Sequence, residues 1–280
     1  MSDWWRRDRP SVTWAGPNQS KRWYNGLRLE VSYIPVMSEL WSYRPYGGAN
    51  CIEMGRLETT RSVSQAVHFH SEVQVAAVAH GSRVYSTPLG DFRASPGDII
   101  VIPAYLPHAS YGGSASIITH LYVPRDHPFA YGIVVPQIIR HARAQSPSDI
   151  LESMCKNGRR DGESATTLAL PEQILDQELD IGSIAARLGY STDGFIRAFK
   201  RQFGMTPAAY RLAHRLMTAR SQLKKGGSIA DVAYATCFAD QSHFGRLFRR
   251  AYGTTPGSYR SAFANARRVD FVLDRRTASN

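Results

Sequence analysis

Residues 237–250 read CFADQSHFGRLFRR, and their side chains divide by chemistry. Phe244 and Phe248, four apart, mark one face of a helix, while Arg246, Arg249 and Arg250 fall on the others. Asp240, Gln241 and Ser242 precede them, a cluster suited to starting a helix. A core helix has no use for the arginines, and a merely soluble one has none for the aromatics. A second constellation lies far upstream, where His68 and His70 share strand parity with Glu72. Neutral imidazoles are good ligands for divalent transition metals.

The two constellations sit in segments of different charge. Residues 179–280 hold 17 Lys and Arg against 6 Asp and Glu, whereas residues 1–178 hold 17 of each. The whole net charge of +11 therefore belongs to the last third. Such segregation points to one domain that meets a polyanion and one that does not. At 280 residues the chain can form two domains with their own cores. Cys51, Cys155 and Cys237 are far apart and lack metal or redox spacing, which fits a reducing cytosol. The N-terminus, MSDWWRRDRP, carries charges where a signal peptide needs an apolar core, and no window approaches about 18 uninterrupted apolar residues. The expectation is a cytoplasmic protein with no membrane partner.

The elements that must position these groups follow from composition and periodicity. Trp4, Trp5, Trp14, Trp23 and Trp41 all fall among Pro, Gly, Asn and Arg, so residues 1–48 read as an irregular arm with aromatic anchors. It is either a strap on the next domain or a piece that re-docks with ligand. From 49 to 124, β-rich runs such as VQVAAVA and GDIIVIPAYLPHA alternate with Gly81, Gly90, Gly97 and Gly112–Gly113, which predicts a small antiparallel barrel or sandwich. Within 125–170, VVPQIIRHARAQ and PSDILESMCK read as short helices and NGRRDGESATT as an exposed linker. That segment either forms a dimer contact or only connects domains. Helical signals dominate from 171, and 269–280 is a tail.

An internal repeat organises the helical part. Phe195, Arg197, Phe199, Phe203, Gly204, Thr206, Pro207 and Tyr210 recur, 49 residues on, as Phe244, Arg246, Phe248, Tyr252, Gly253, Thr255, Pro256 and Tyr259. Upstream the offset is 48, matching Ile181, Ile184, Ala185 and Tyr190 with Ile229, Val232, Ala233 and Phe238, and the N-cap Asp180 with Ser228. Each unit reads as a capped helix, a tight turn and a second helix held by aromatics. Gly then stops that helix and Pro starts the next. This is a helix-turn-helix, and residues 207–225 form a long helix between the two copies.

Residues 171–268 resemble the paired helix-turn-helix domain of the AraC/XylS family of bacterial transcription regulators, most closely in SIADVAYATCFADQSHFGRLFRRAYGTTPGSYR. The resemblance implies base contacts by Asp193, Ile196 and Arg197 in the first unit and by Gln241, Ser242, His243 and Arg246 in the second. Lys200, Arg201, Arg249 and Arg250 are then phosphate-holding cations, or plain surface charge. It further implies promoter DNA and RNA polymerase as partners, a homodimer, and activation more than repression. Two departures stand out. Cys237 replaces the Gly usual before Phe238, which costs about 1 kcal/mol if the backbone needs positive φ. Gly194 lies inside the first recognition helix and should loosen it by about 0.5–1 kcal/mol.

Upstream, HFHSEVQVAAVAHG and GDIIVIPAYLPH resemble the two motifs of the cupin barrel, through His68, His70, Gln74, Gly81, Gly97, Pro103 and His108. The implied architecture is multi-domain, an all-β cupin-like barrel followed by an all-α domain of two helix-turn-helix units. His68, His70, Gln74 and His108 line its pocket for a small-molecule effector, and Tyr105, Tyr111, His120 and Trp41 are within possible reach. In metal cupins a Glu stands at the Gln74 position. With an amide there the expectation is no metal cofactor, His68, His70 and His108 being the candidates if one binds, with Glu72 as a substitute ligand. The alternative class is a metal-dependent cupin enzyme fused to a DNA-binding module. The weak fourth ligand argues against an enzyme.

Overall fold

The computed structural model describes residues 39–47, 52–112, 115–142, 144, 146–158, 172–176 and 179–264. Trp4, Trp5, Trp14, Trp23, most of the expected linker and the tail lie outside the described residues.

Among the described residues ten strands come first: β1 Glu39–Tyr46, β2 Ile52–Thr59, β3 Ser64–His68, β4 Val73–His80, β5 Arg83–Thr87, β6 Gly90–Ala94, β7 Ile99–Ile102, β8 His108–Gly112, β9 Ser116–Val123 and β10 Gln137–Ile139. They form two antiparallel sheets, ordered β1-β2-β9-β4-β7-β10 and β3-β8-β5-β6. The all-β expectation holds, but the barrel is not closed, because among the described residues no ladder joins the two sheets. In β4, Val73, Val75 and Ala77 pack on one face and Ala76 and Val78 on the other. In β7, Ile99 and Val101 alternate in the same way with Ile100 and Ile102. Strands buried on both faces read as continuous apolar runs, with the period of two hidden.

Two expected boundaries are corrected. The sheet begins at Glu39, inside the segment read as an irregular arm. Trp41 and Tyr43 point inward with period two, and β1 pairs with β2 from Glu39↔Thr59 to Tyr46↔Ile52. VVPQIIRHARAQ is not a helix but carries β10, with Ile138 opposite Ile100. The β-branched pair after Pro136 completes the edge left open by β7, and that pairing outweighs the local helical pattern. PSDILESMCK does form a helix, α1 Pro147–Asn157, with a Ser146–Asp149 capping box. Its Ile150, Leu151 and Met154 cover the outer face of the larger sheet.

The rest is helical: α2 Ile181–Arg187, α3 Thr192–Phe203, α4 Pro207–Lys224, α5 Ile229–Ala235 and α6 Gln241–Tyr252, preceded by a 3-10 turn at Glu172–Leu175. N-caps Asp180, Ser191, Thr206, Ser228 and Asp240 each accept a backbone N–H from three residues on. α3 and α6 both end on left-handed glycines, Gly204 at φ 72° and Gly253 at φ 74°. α4 holds both units by arginine. Arg211 donates to the carbonyls of Ile174, Asp176 and Leu179, and Arg215 to those of Thr236 and Cys237. The described residues cluster as one compact unit, so sheets and helices pack directly on each other.

Candidate functional site

The two second helices of the repeat present the basic faces. In α3, Phe195, Phe199 and Phe203 are buried while Asp193, Arg197, Lys200 and Arg201 are exposed and Ile196 is half-buried. In α6, Phe244, Phe248 and Tyr252 are buried while Gln241, Ser242, Arg246, Arg249 and Arg250 are exposed. His243 is half-buried, edge-on to Phe238 at 6.1 Å. Asp240 accepts the His243 N–H at 2.7 Å, and that bond holds its carboxyl below the usual range. A negative cap thus starts α6 where the helix dipole favours it.

Both sequence departures have a structural reading. Cys237 sits at φ 56°, matching Gly189 at φ 75° in the first unit, so the turn does require the left-handed region. Arg215 braces that turn from α4, stacking on Phe238 at 4.3 Å. Gly194 lies where a Cβ would stand 2.9 Å from the Ser191 hydroxyl that caps α3.

Between the sheets lies a buried imidazole island. His68 ends β3, His108 begins β8 directly opposite, Gln74 is on β4 and His120 on β9. The Nδ1 atoms of His68, His70 and His108 bond the backbone carbonyls of Ala66, Glu72 and Leu106 at 2.8, 2.8 and 2.9 Å. A carbonyl only accepts, so each Nδ1 carries the proton and each Nε2 presents a lone pair. Burial is the leading cause that pushes His68 and His120 down to about 3 and lowers His70 and His108, which favours the neutral rings. Gln74 bridges His70 Nε2 at 2.9 Å and His120 Nδ1 at 2.8 Å. The structure sets Gln74 Oε1 toward His70 and its amide nitrogen toward His120, whereas a neutral His70 protonated at Nδ1 requires the amide turned over.

The potential ligand atoms of His68, His70 and His108 all lie within 4.8 Å of one another. A tetrahedral ion with ~2.1 Å bonds needs nitrogens about 3.4 Å apart, so a modest contraction would seat one. Carbonyl-anchored Nδ1 atoms are the usual support of histidine ligands. The residues therefore fit a divalent transition metal through three nitrogens. Two expectations about this pocket are corrected. Glu72 is no ligand in this arrangement, because its carboxylate turns away to Arg220 at 3.2 Å. Tyr105 and Tyr111 are 45% exposed and stay outside, whereas His120 and Trp41 belong to the island, with rings 5.2 Å apart.

Residues 184–262 match the family described as a helix-turn-helix domain. That stretch covers both helix-turn-helix units of the repeat, from α2 to the residues after α6. YbfI of Bacillus subtilis (strain 168), an uncharacterized HTH-type transcriptional regulator, is 26% identical over 117 residues, which is 39% of this chain and 38% of YbfI. The chain thus matches less than two thirds of that relative's length. Among solved structures, ToxT of Vibrio cholerae with an unsaturated fatty acid bound is 11% identical, covering 80% of this chain and 95% of that one at a TM-score of 0.47. A transcriptional regulator of Chromobacterium violaceum with an AraC-type DNA-binding domain is 32% identical, covering 31% of this chain and 78% of its own at a TM-score of 0.29. Among the described residues no helix is long and apolar enough to cross a membrane.

Sequence reasoning missed the joint between the helix-turn-helix domain and the sheets. Arg220 of α4 is 3% exposed and pairs with Glu53 of β2 at 2.6 Å and with Glu72 at 3.2 Å. Its guanidinium lies over Tyr122 of β9 at 4.4 Å, with Tyr252 and Tyr259 at 5.4 and 5.7 Å. Glu53 also accepts the Tyr259 hydroxyl at 2.7 Å. Tyr43 donates to the Tyr252 carbonyl at 2.7 Å, and the Tyr252 ring meets His68 edge-on at 5.8 Å. The helix-turn-helix domain therefore lies directly against the imidazole island.

Proposed function

We propose that this protein is a cytoplasmic transcriptional regulator that binds promoter DNA through α3 and α6 and is controlled by a small molecule in the sheet domain. The observation that carries the reading is the pair of structurally equivalent helix-turn-helix units, each with an exposed arginine-bearing face on a helix anchored by three aromatics. Arg197 and Arg246, with Asp193, Ile196, Gln241, Ser242 and His243, read bases. Lys200, Arg201, Arg249 and Arg250 hold phosphates. The protein acts as a homodimeric activator that recruits RNA polymerase.

His68, His70, Gln74 and His108 form the effector pocket. Because Tyr252 packs against His68 and Arg220 is locked between Glu53 and Glu72, an effector that fills this island binds the undocked arrangement better than the docked one. That difference in affinity is what transmits the signal. A second reading is favoured by the three buried histidines whose potential ligand atoms lie within 4.8 Å of one another: a divalent transition metal held by His68, His70 and His108, with His70 Nε2 released from Gln74, serves as the signal or as part of the pocket. Equilibrium dialysis against Zn²⁺ separates the two, and less than about a tenth of an equivalent bound leaves the histidines as pocket wall.

The regulator reading is tested by selecting genomic fragments with the purified full chain at near-physiological salt, since phosphate contacts alone inflate binding at low salt. The expected product is a motif with two blocks roughly 10 base pairs apart. DNA recovered without a shared motif would reopen the enzymatic reading of the sheet domain.

A further inference from the structure

A cleft of about 460 Å³ separates α6 from the start of β3, lined by Ser62, Val63, Ser64 and Gln65 on one wall and by Arg246, Arg249, Arg250 and Gly253 on the other. It holds three cationic side chains and no carboxylate. Among the described residues none of the three arginines makes an ion pair. Ser62 and Ser64 are exposed, and β3 is an edge strand of its sheet. The guanidinium of Arg83 stands behind this wall, 1% exposed, donating to the Val63 carbonyl at 2.9 Å and to Ser110 Oγ at 2.8 Å.

The walls are fixed to each other. Gln65 donates to the Ala251 carbonyl at 3.3 Å, and Trp41 packs so closely on Gly253 that a Cβ there would fall 2.3 Å from its ring. A rigid slot whose walls supply arginines and hydroxyls, backed by a buried cation, has the chemistry of a phosphate site. The cleft flanks the C-terminal half of α6 and leaves Gln241 and Ser242, at the helix start, outside it. Bases are then read by the start of α6 while the backbone beside it runs past the slot.

We infer that the β3 edge is part of the DNA interface: a backbone phosphate sits between Ser62–Gln65 of the sheet domain and Arg249 and Arg250 of α6, with Arg246 at the mouth of the cleft turned to the bases. This rests on the reading of α6 as a DNA-contacting helix and adds that the sensor half touches the duplex itself. The test is fluorescence anisotropy of the full chain on a random duplex of about 30 base pairs over a salt series. Ser64→Glu is expected to weaken binding about tenfold and to lower the slope of log affinity on log salt by about 1, and Ser64→Lys to raise that slope by about 1. Ser64→Ala, with an unchanged melting temperature, controls for folding.

If Ser64→Glu and Ser64→Lys bind DNA like the parent while Arg249→Ala weakens binding, the β3 edge is no DNA contact and the inference falls, with α6 untouched. If Arg249→Ala is also without effect, the DNA reading of α6 fails first. Pyrophosphate that saturates the cleft in an Arg249-dependent way without displacing DNA would assign the slot to a small phosphorylated ligand and also overturn the inference.

Discussion

Replacing Arg220 by Met tests whether the buried pair is what joins the two halves. Glu53 is fully buried and would keep only the Tyr259 hydroxyl at 2.7 Å and the more distant Lys224 ammonium at 3.6 Å. Removing one partner of a buried pair leaves an uncompensated charge, which costs about 3–5 kcal/mol. The stack over Tyr122 at 4.4 Å adds roughly 0.5–2 kcal/mol. With a urea dependence of about 3 kcal/mol/M, the expected fall in the unfolding midpoint is about 1.2–2.3 M at unchanged slope. Arg220→Met combined with Glu53→Gln should recover part of this, because Gln still accepts the Tyr259 hydroxyl and only the Glu72 carboxylate, 16% exposed, is left without its guanidinium. Urea unfolding followed by far-ultraviolet circular dichroism on all three variants completes the cycle. A single variant costing under about 1 kcal/mol, or a double variant costing the sum of the singles, would refute the reasoning.

Cys237→Gly relieves a side chain held at φ 56° and should stabilise the protein by about 1 kcal/mol in the same denaturation assay. Gly253→Ala should do the reverse by at least about 1 kcal/mol, since it adds a Cβ at φ 74° against Trp41. Arg246→Ala is expected to lower affinity for specific DNA by about 1–3 kcal/mol and relax one base position, read from a binding series over single-base variants of the site. Asp98 is opposed by burial, but N–H donors from Ser95 and His141 and the Arg140 guanidinium at 2.7 Å hold its carboxyl below 3.8. A depressed acid stabilises the fold above its unfolded pKa and loses that contribution as pH falls through the folded value. Asp98→Asn should therefore flatten part of the stability loss below about pH 4, measured by melting temperature.

Much of the DNA-binding half was legible in the order of residues, because its determinants are local. Caps at Asp180, Ser191, Ser228 and Asp240, the glycine stops and the aromatics four apart each act within one or two turns, and duplication displayed them twice. The positive φ at Cys237 was legible for the same reason, through its repeat partner Gly189. The strand β10 was not, since Gln137–Ile139 takes its form from the free edge of β7 and not from its own pattern. Nor was Arg220, which on α4 has the spacing of an ordinary solvated cation. Its partners Glu53 and Glu72 lie 167 and 148 residues away, and only the meeting of α4 with β2 and the start of β4 buries all three charges together. The same holds for Gln74 and His120, and for the slot between β3 and α6. Local sequence dictates backbone states and helix faces, but neutralising a charge taken out of water depends on which surfaces the finished fold presses together.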